Sequence, residues 1–146
     1  MEERASNVTD VFLDTAFAIA LSSPKDAHHE LAVRISERLE ANKTRLVTTH
    51  AVIIEIGNAL AKQAFRQAAI ELIESLEQDP SAQIVPISEQ LYERAFDLYR
   101  ERPDKEWGLT DCISFVVMQD NGLTGALTTD RHFEQAGFQA LMRIQP

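Results

Sequence analysis

The chain has 146 residues, of which 45% are hydrophobic and 25% are charged, and it contains five glycines and five prolines. This composition is typical of one globular domain and excludes repetitive, collagen-like and largely disordered chains. The formal net charge of −9 should repel polyanions at long range, which argues against a protein that coats nucleic acid through a broad basic face.

The first half of the chain alternates short apolar runs with amphipathic segments. A strand is predicted at 8–13, and Asp14 lies in the turn between this strand and a short helix. An amphipathic helix is predicted within 23–42, where apolar residues recur at every fourth position. A brief strand then leads into a long helical pattern at 51–78, which we expect to break near 65–67.

The second half of the chain repeats this order of strands and helices. A short strand at 82–87 precedes a helix with Ser88 as its N-cap, and a further helix should start at Thr110 or Asp111 and end near Asp120. The remaining elements are a strand, a short helix and a last strand, predicted at 124–130, 131–136 and 138–144. Strands that alternate with helices predict a three-layer α/β/α sandwich around a mostly parallel sheet of about five strands.

Several features bear on the compartment in which the protein acts. No apolar stretch approaches the roughly 20 residues that a membrane-spanning helix needs. The acidic start of the chain, MEERASNVTD, has no apolar segment of the kind found in signal peptides. The single cysteine, Cys112, excludes an intrachain disulfide and fits a reducing compartment. We therefore expect a cytoplasmic protein without membrane segments.

Four acidic residues are predicted to lie at one edge of the sheet, outside the carboxyl ends of the strands, where such sheets bind ligands. Asp14 ends the first strand and Asp130 ends the fourth. Glu55 lies about one turn into the helix after the second strand, and Asp111 opens the helix before the fourth. Each acid alone has a structural explanation. The three aspartates could be helix N-caps worth about 1 kcal/mol each, and Glu55 could favour the positive end of its helix.

Carboxylates that are gathered at one place repel one another, and their pKa values rise unless a cation neutralises them. Oxygen ligands without cysteine or paired histidine favour a hard cation, so the acids predict a site for Mg²⁺ or Mn²⁺. Threonine hydroxyls near the acids could orient the carboxylates or the waters of the metal, or could belong to ordinary strand and cap residues. These threonines are Thr15, Thr110, Thr128 and Thr129.

Four short motifs have an order and spacing that are typical of one protein family: VFLDT, IIEIGNAL, LTDCISF and TTDRHF. With these motifs the chain resembles the PIN-domain ribonucleases, including the toxin ribonucleases of the VapC type. The resemblance covers about residues 8–144 and implies one PIN-like domain there, after a short tail at 1–7. By this likeness Thr128 corresponds to the family's hydroxyl residue two positions before the last acid, and the acidic quartet falls on Asp14, Glu55, Asp111 and Asp130.

The resemblance implies a ribonuclease that depends on Mg²⁺ or Mn²⁺ and cuts single-stranded or exposed RNA with water activated by the metal. Asp14 and Asp111 are then expected to bind the metal directly, and Glu55 and Asp130 either directly or through water. The likeness to toxin ribonucleases further implies an antitoxin protein that covers the site, and a homodimer. Whether the protein is a toxin or a housekeeping nuclease stays open at this point.

Other side chains near the motifs have two interpretations each. Arg131 could contact phosphate groups of a substrate, whereas the remaining basic residues are expected on solvated helix faces. Trp107 and Phe133 could stack on a base, although packing in the core is the simpler explanation. The four histidines show neither HxH nor HExxH spacing, which argues against a zinc site. Cys112 is expected to be a small buried thiol.

Other classes of function fit the sequence less well than a nuclease does. A phosphatase that forms an aspartyl-phosphate would need a second acid two residues after Asp14, where the chain has Ala16. A receiver-like signalling module would need adjacent acids early in the chain and a lysine after a later strand, and neither is evident. The strongest alternative is a non-catalytic PIN-like module, because an acidic pocket can bind an arginine of a protein partner as well as a metal ion.

Overall fold

Five short strands form one sheet within residues 10–143, the part of the chain that the computed structural model describes. They are β1 (Val11–Leu13), β2 (Leu46–Thr49), β3 (Ala82–Val85), β4 (Gly125–Leu127) and β5 (Gln139–Ala140). Their order across the sheet is β3-β2-β1-β4-β5, and each of the four neighbouring pairs is parallel. The predicted parallel sheet is therefore confirmed. The strand order reverses between β1 and β4, which is where such sheets bind ligands.

Helices cover both faces of the sheet. Along β1, Phe12 enters the core on one face, whereas Val11 and Leu13 enter the core on the other, as the alternation of side chains along a strand requires. The predicted three-layer α/β/α sandwich is confirmed. The described residues contain the helices α1 (Thr15–Ser22), α2 (His29–Ala41), α3 (His50–Ala59), α4 (Gln63–Gln78), α5 (Glu89–Glu101), α6 (Leu109–Asp120) and α7 (Arg131–Gln135).

The break in the long helical pattern lies earlier than predicted. Helix α3 ends and α4 begins around 60–62, not at 65–67. Leu60 is buried, and its N–H still bonds to the carbonyl of Ile56, whereas Lys62 is already in extended backbone. The apolar pattern runs on through the break, so periodicity alone placed it too late. Burial of Leu60 in the core decides where the chain turns.

The last strand is shorter than predicted. Of the predicted segment 138–144, only Gln139–Ala140 pairs with β4, and a 3₁₀ turn follows at Leu141–Arg143. Leu141 packs so closely on Gly125 of β4 that a Cβ on this glycine would lie 3.0 Å from the leucine side chain. After Ala140 the chain turns away from the sheet, although the N–H of Met142 still donates to the carbonyl of Thr128 at 3.2 Å.

The other predicted elements are present, but some of their ends differ. Strand β3 ends at Val85 and not at 87, β4 ends at Leu127 and not at Asp130, and α6 begins at Leu109. Ser88 is the N-cap of α5, and its hydroxyl accepts the N–H of Leu91 at 3.0 Å. The predicted tail at 1–7, the start of the first strand at 8–9 and the end of the last strand at 144 lie outside the described residues. No helix within 10–143 is long and apolar enough to cross a membrane.

Candidate metal centre

Asp14 lies at the carboxyl end of β1, beside the end of β4, and it is almost fully buried. The hydroxyl of Thr128, which directly follows β4, donates a hydrogen bond of 2.7 Å to Oδ2 of Asp14. Asp14 occupies the N-cap position of α1, but its side chain makes no capping hydrogen bond within the described chain. The alternative that Asp14 serves only as a helix cap is therefore wrong, since its carboxylate is directed to Thr128.

The surroundings of Asp14 disfavour the ionised form of its carboxyl group. Burial raises the pKa of Asp14 to about 6, and the nearby carboxylates of Asp111 and Glu55 raise it further, whereas the hydrogen bond from Thr128 works in the opposite direction. A cation beside such a carboxyl group stabilises its ionised form. Asp14 has the electrostatics expected of a metal ligand.

Glu55 reaches the same edge of the sheet from α3. The hydroxyl of Thr15, the first residue of α1, donates a hydrogen bond of 2.7 Å to Oε1 of Glu55. Two strands are also joined here, because the hydroxyl of Thr48 on β2 donates to the carbonyl of Leu13 at 2.8 Å. Thr48 is fully buried and was not among the predicted site residues. Its hydroxyl holds the backbone next to Asp14.

Asp111 lies in the first turn of α6, where Gly108 and not Asp111 is the N-cap. Its Oδ2 accepts the N–H of Gly108 at 3.1 Å, so the carboxylate also stabilises the start of the helix. Burial raises the pKa of Asp111, and so does the carboxylate of Asp130, whereas the hydrogen bonds from Gly108 and His132 lower it. The structural role and the predicted metal-binding role are compatible, because a carboxylate has about four lone-pair sites on its two oxygens and the Gly108 bond uses one of them.

Asp130 is the N-cap of α7, and its Oδ1 accepts the N–H of His132 at 2.9 Å. Its own N–H donates to the hydroxyl oxygen of Thr128 at 3.1 Å. Thr128 thus connects the first and last acids of the predicted quartet, by donating to Asp14 and accepting from Asp130. A threonine hydroxyl is suited to this task, since it is both a donor and an acceptor.

His132 is the functional candidate that the sequence argument missed. Its Nδ1 lies 3.2 Å from Oδ2 of Asp111 and 3.3 Å from Oδ1 of Asp130, and one ligand atom of each residue lies within 4.8 Å of the others. A nitrogen atom thus lies beside the oxygen atoms that were predicted as ligands. His132 is not part of a histidine pair in the sequence; the signal that marks it is its position two residues after Asp130, the N-cap of α7.

Some of the predicted site residues lie in one cluster, and others form no hydrogen bond to its acids in the described part of the chain. Asp14 with Glu55, and Asp111 with Asp130, form two neighbouring halves of one cluster. Within residues 10–143, the hydroxyls of Thr110 and Thr129 form no hydrogen bond to these acids; Thr129 contributes its carbonyl to Arg143 at 3.4 Å. Arg131 is exposed at the start of α7. The other candidates, Cys112, Trp107 and Phe133, are buried in the core as expected.

The donor set fits a divalent cation. Four carboxylates meet at one edge of the sheet, and no lysine or arginine within the described residues forms an ion pair with any of them. Within 10–143, the imidazole of His132 lies 3.2 Å from Asp111 and 3.3 Å from Asp130. Carboxylate oxygens together with one imidazole nitrogen are ligands that Mg²⁺, Mn²⁺ and related ions accept. Asp14, Glu55, Asp111, Asp130 and His132 are the side chains that could hold such an ion.

A parallel sheet with acids gathered where the strand order reverses defines an α/β protein with a candidate site for a divalent cation. The chain belongs to the PIN domain family, whose sequence model matches residues 11–139. This match confirms the resemblance that the four motifs indicated.

Characterised relatives agree with this assignment. The chain is 29% identical to the 23S rRNA-specific endonuclease VapC20 of Mycobacterium tuberculosis over 129 residues, which cover 88% of this chain and 95% of VapC20. The crystal structure of that VapC20, described as a sarcin-ricin loop cleaving toxin, has a TM-score of 0.79 and 26% identity, covering 94% of this chain and 100% of the other. The crystal structure of FitAcB from Neisseria gonorrhoeae shares the fold, with a TM-score of 0.59 and 20% identity, covering 90% of this chain and 98% of the other.

Proposed function

We propose that this protein is an endoribonuclease that hydrolyses RNA phosphodiester bonds with the help of Mg²⁺ or Mn²⁺, and that it is the toxin of a toxin-antitoxin pair. The observation that carries the proposal is the convergence of four carboxylates without a lysine or arginine partner in the described chain. Membership of the PIN domain family and the similarity to an rRNA endonuclease support it. The catalytic residues would be Asp14, Glu55, Asp111 and Asp130.

Each acid has a separate part in the proposed site. When bound, the cation supplies a Lewis acid that activates water and neutralises charge on the phosphate. Asp14 and Asp111, the more buried acids, would hold it directly. Glu55 is exposed and already accepts a hydrogen bond from Thr15, so it would orient a water rather than bind as closely. Asp130, the N-cap of α7, would bind the cation directly or through water.

Thr128 would act by positioning Asp14. Its 2.7 Å hydrogen bond uses Oδ2 of Asp14, so Oδ1 remains available to a ligand. Because the same hydroxyl accepts the N–H of Asp130, it also fixes the start of α7 relative to β1. Such hydrogen bonds to a ligand residue typically matter about 10- to 100-fold for metal affinity or activity. Thr15 would do the same for Glu55.

RNA is the proposed substrate, and the first RNA to test is the 23S rRNA that VapC20 cleaves. Arg131 is exposed immediately after Asp130, where its guanidinium could contact a substrate phosphate. With a net charge of −9, we expect binding without the metal to be weak and sensitive to salt. The charge of the protein thus makes the cation part of substrate binding.

Two protein partners are part of the proposal. An antitoxin would cover the acidic site, and an arginine or lysine from it would be an electrostatic match for four carboxylates. A second copy of the chain would form a homodimer. We also propose that residues 8–144 act as one PIN-like domain, since the stretch matched by the family model lies within them.

The test is cleavage of ribosomes, purified 23S rRNA and a mixed RNA by the purified protein, with Mg²⁺, with Mn²⁺ and with EDTA. Cutting that needs metal and is lost in Asp14→Asn and Asp111→Asn is expected. The control is Asp97→Asn, which changes an exposed acid on α5 and should cut normally. Cutting in EDTA, or by Asp14→Asn, would overturn the assignment. Metal binding without cleavage of any of these RNAs would favour the non-catalytic, partner-binding module.

A further inference from the structure

We propose that His132 is itself a metal ligand, so that Asp111, Asp130 and His132 form a mixed oxygen and nitrogen site that favours Mn²⁺ over Mg²⁺. This inference rests on the proposed metal-dependent function and adds a residue to it that the acidic quartet does not include. It concerns one half of the cluster, contributed by α6 and α7.

The distances in this half of the cluster suit a shared cation. Nδ1 of His132 lies 3.2 Å from Oδ2 of Asp111 and 3.3 Å from Oδ1 of Asp130. Ligands on adjacent corners of an octahedron with bonds of about 2.1 Å lie roughly 3 Å apart. The imidazole nitrogen is therefore separated from both carboxylate oxygens by nearly the distance that two ligands of one ion keep. The three ligand atoms lie within 4.8 Å of one another, and an ion bound among them would replace the hydrogen bond between His132 and Asp111.

The backbone holds His132 at this position. Asp130 caps α7 by accepting the N–H of His132, so the two residues that would share the ion are joined by a 2.9 Å hydrogen bond. The next residue, Phe133, is fully buried and packs edge-on against Phe115 of α6, with ring centroids 5.0 Å apart. Asp111 lies on the same helix as Phe115. The core contact between α6 and α7 thus fixes the imidazole relative to both carboxylates.

The nitrogen ligand gives a preference among metals. Mg²⁺ favours oxygen ligands and keeps much of its water, whereas Mn²⁺ tolerates an imidazole nitrogen and is the softer of the two. Replacing His132 by glutamine keeps a polar side chain but removes the imidazole nitrogen that can bind a metal ion. We expect His132→Gln to lower Mn²⁺ affinity about tenfold or more and to change Mg²⁺ affinity much less.

Pulsed electron paramagnetic resonance of the Mn²⁺-loaded protein tests the inference directly. An imidazole nitrogen bound to Mn²⁺ produces strong ¹⁴N modulation, and a histidine that only hydrogen-bonds to a ligand does not. We expect this modulation in the unaltered protein and in the control His50→Gln, which changes an exposed histidine at the start of α3. It should be absent in His132→Gln.

A second measurement does not depend on how the variant folds. Labelling the histidines of the unaltered protein with ¹⁵N should convert the ¹⁴N pattern into a ¹⁵N pattern. If the protein binds Mn²⁺ but shows no coupling to a histidine nitrogen, His132 is not a ligand and the nuclease proposal stands. Coupling that persists in His132→Gln would also overturn the inference. If the unaltered protein binds no Mn²⁺, both this inference and the proposed metal site fail.

Discussion

Thr128 and Asp14 are 114 residues apart in the chain, and the threonine hydroxyl donates a hydrogen bond of 2.7 Å to the buried aspartate. The contact exists because β4 pairs with β1 and both strands end at the same edge of the sheet. The hydroxyl of Thr128, a neutral side chain, therefore orients Asp14, the most buried acid of the candidate site.

The variant Thr128→Val should lose activity while keeping its fold. Valine preserves the shape of threonine but removes the donor to Asp14 and the acceptor for the N–H of Asp130. The pKa of Asp14 should rise further, cleavage should fall about 10- to 100-fold, and the free energy of unfolding should fall by about 1–3 kcal/mol. The control is Thr110→Val, whose hydroxyl bonds to none of the four acids within 10–143. Equal cleavage by both variants would contradict the positioning role.

The stability of the protein in EDTA should decrease as the pH rises from about 4 to about 6. Burial raises the pKa of Asp14 from 3.8 to about 6, so the folded state binds more protons than the unfolded state in this window. The stabilisation from protonated Asp14 is complete below pH 4 and is lost as the pH passes 6. By this linkage, Asp14→Asn should be more stable than the unaltered protein at pH 7, by about 2–3 kcal/mol.

Urea unfolding between pH 4 and pH 8 measures this linkage. The two proteins should have similar stabilities at pH 4 and diverge as the pH increases. Adding Mn²⁺ at pH 7 should stabilise the unaltered protein and leave Asp14→Asn largely unchanged, since a ligand that binds only the folded state shifts the unfolding equilibrium. A lower stability of Asp14→Asn at pH 7 in EDTA would show that the buried charge is already compensated.

Gly125→Ala should destabilise the protein, and Gly57→Ala should not. A Cβ at Gly125 would lie 3.0 Å from the side chain of Leu141, so strand β4 or the 3₁₀ turn must shift. The expected loss is about 1–3 kcal/mol. Gly57 lies within α3 with nothing near its added Cβ, so alanine there should stabilise the helix by about 0.5–1 kcal/mol. Thermal unfolding of both variants compares them, and equal shifts would contradict the packing argument.

The proposed homodimer has a candidate surface on α5. Tyr92, Phe96 and Tyr99 are 45%, 37% and 47% exposed, and their rings stack in series with centroids 6.1 and 6.2 Å apart. An exposed row of aromatic residues is characteristic of interaction surfaces. We expect the protein to sediment as a dimer and Phe96→Glu as a monomer. The control Phe65→Glu alters an equally exposed ring on α4 and should remain dimeric. A monomeric unaltered protein would exclude the homodimer.

Much of the fold could be predicted from the sequence, because the signals involved act over a few residues. Apolar runs separated by amphipathic segments indicated the order of strands and helices, and Ser88 was recognisable as an N-cap from its neighbours alone. The acids at strand ends were predictable for the same reason, once a parallel sheet was expected. The errors in element ends, such as those at 60–62, after Leu127 and after Ala140, occurred where no local signal marks the end of an element.

The contacts between side chains in the candidate site could not be predicted from the sequence. The sequence alone determined which residues were acids and that each followed or opened an element at the same edge of the sheet. Only the tertiary structure decided that Thr128 bonds to Asp14 whereas Thr129 does not, and that His132 faces Asp111. Those contacts depend on the pairing of β1 with β4 and on the packing of α7 against α6. Such packing sets the distance between side chains far apart in sequence, which no local pattern encodes.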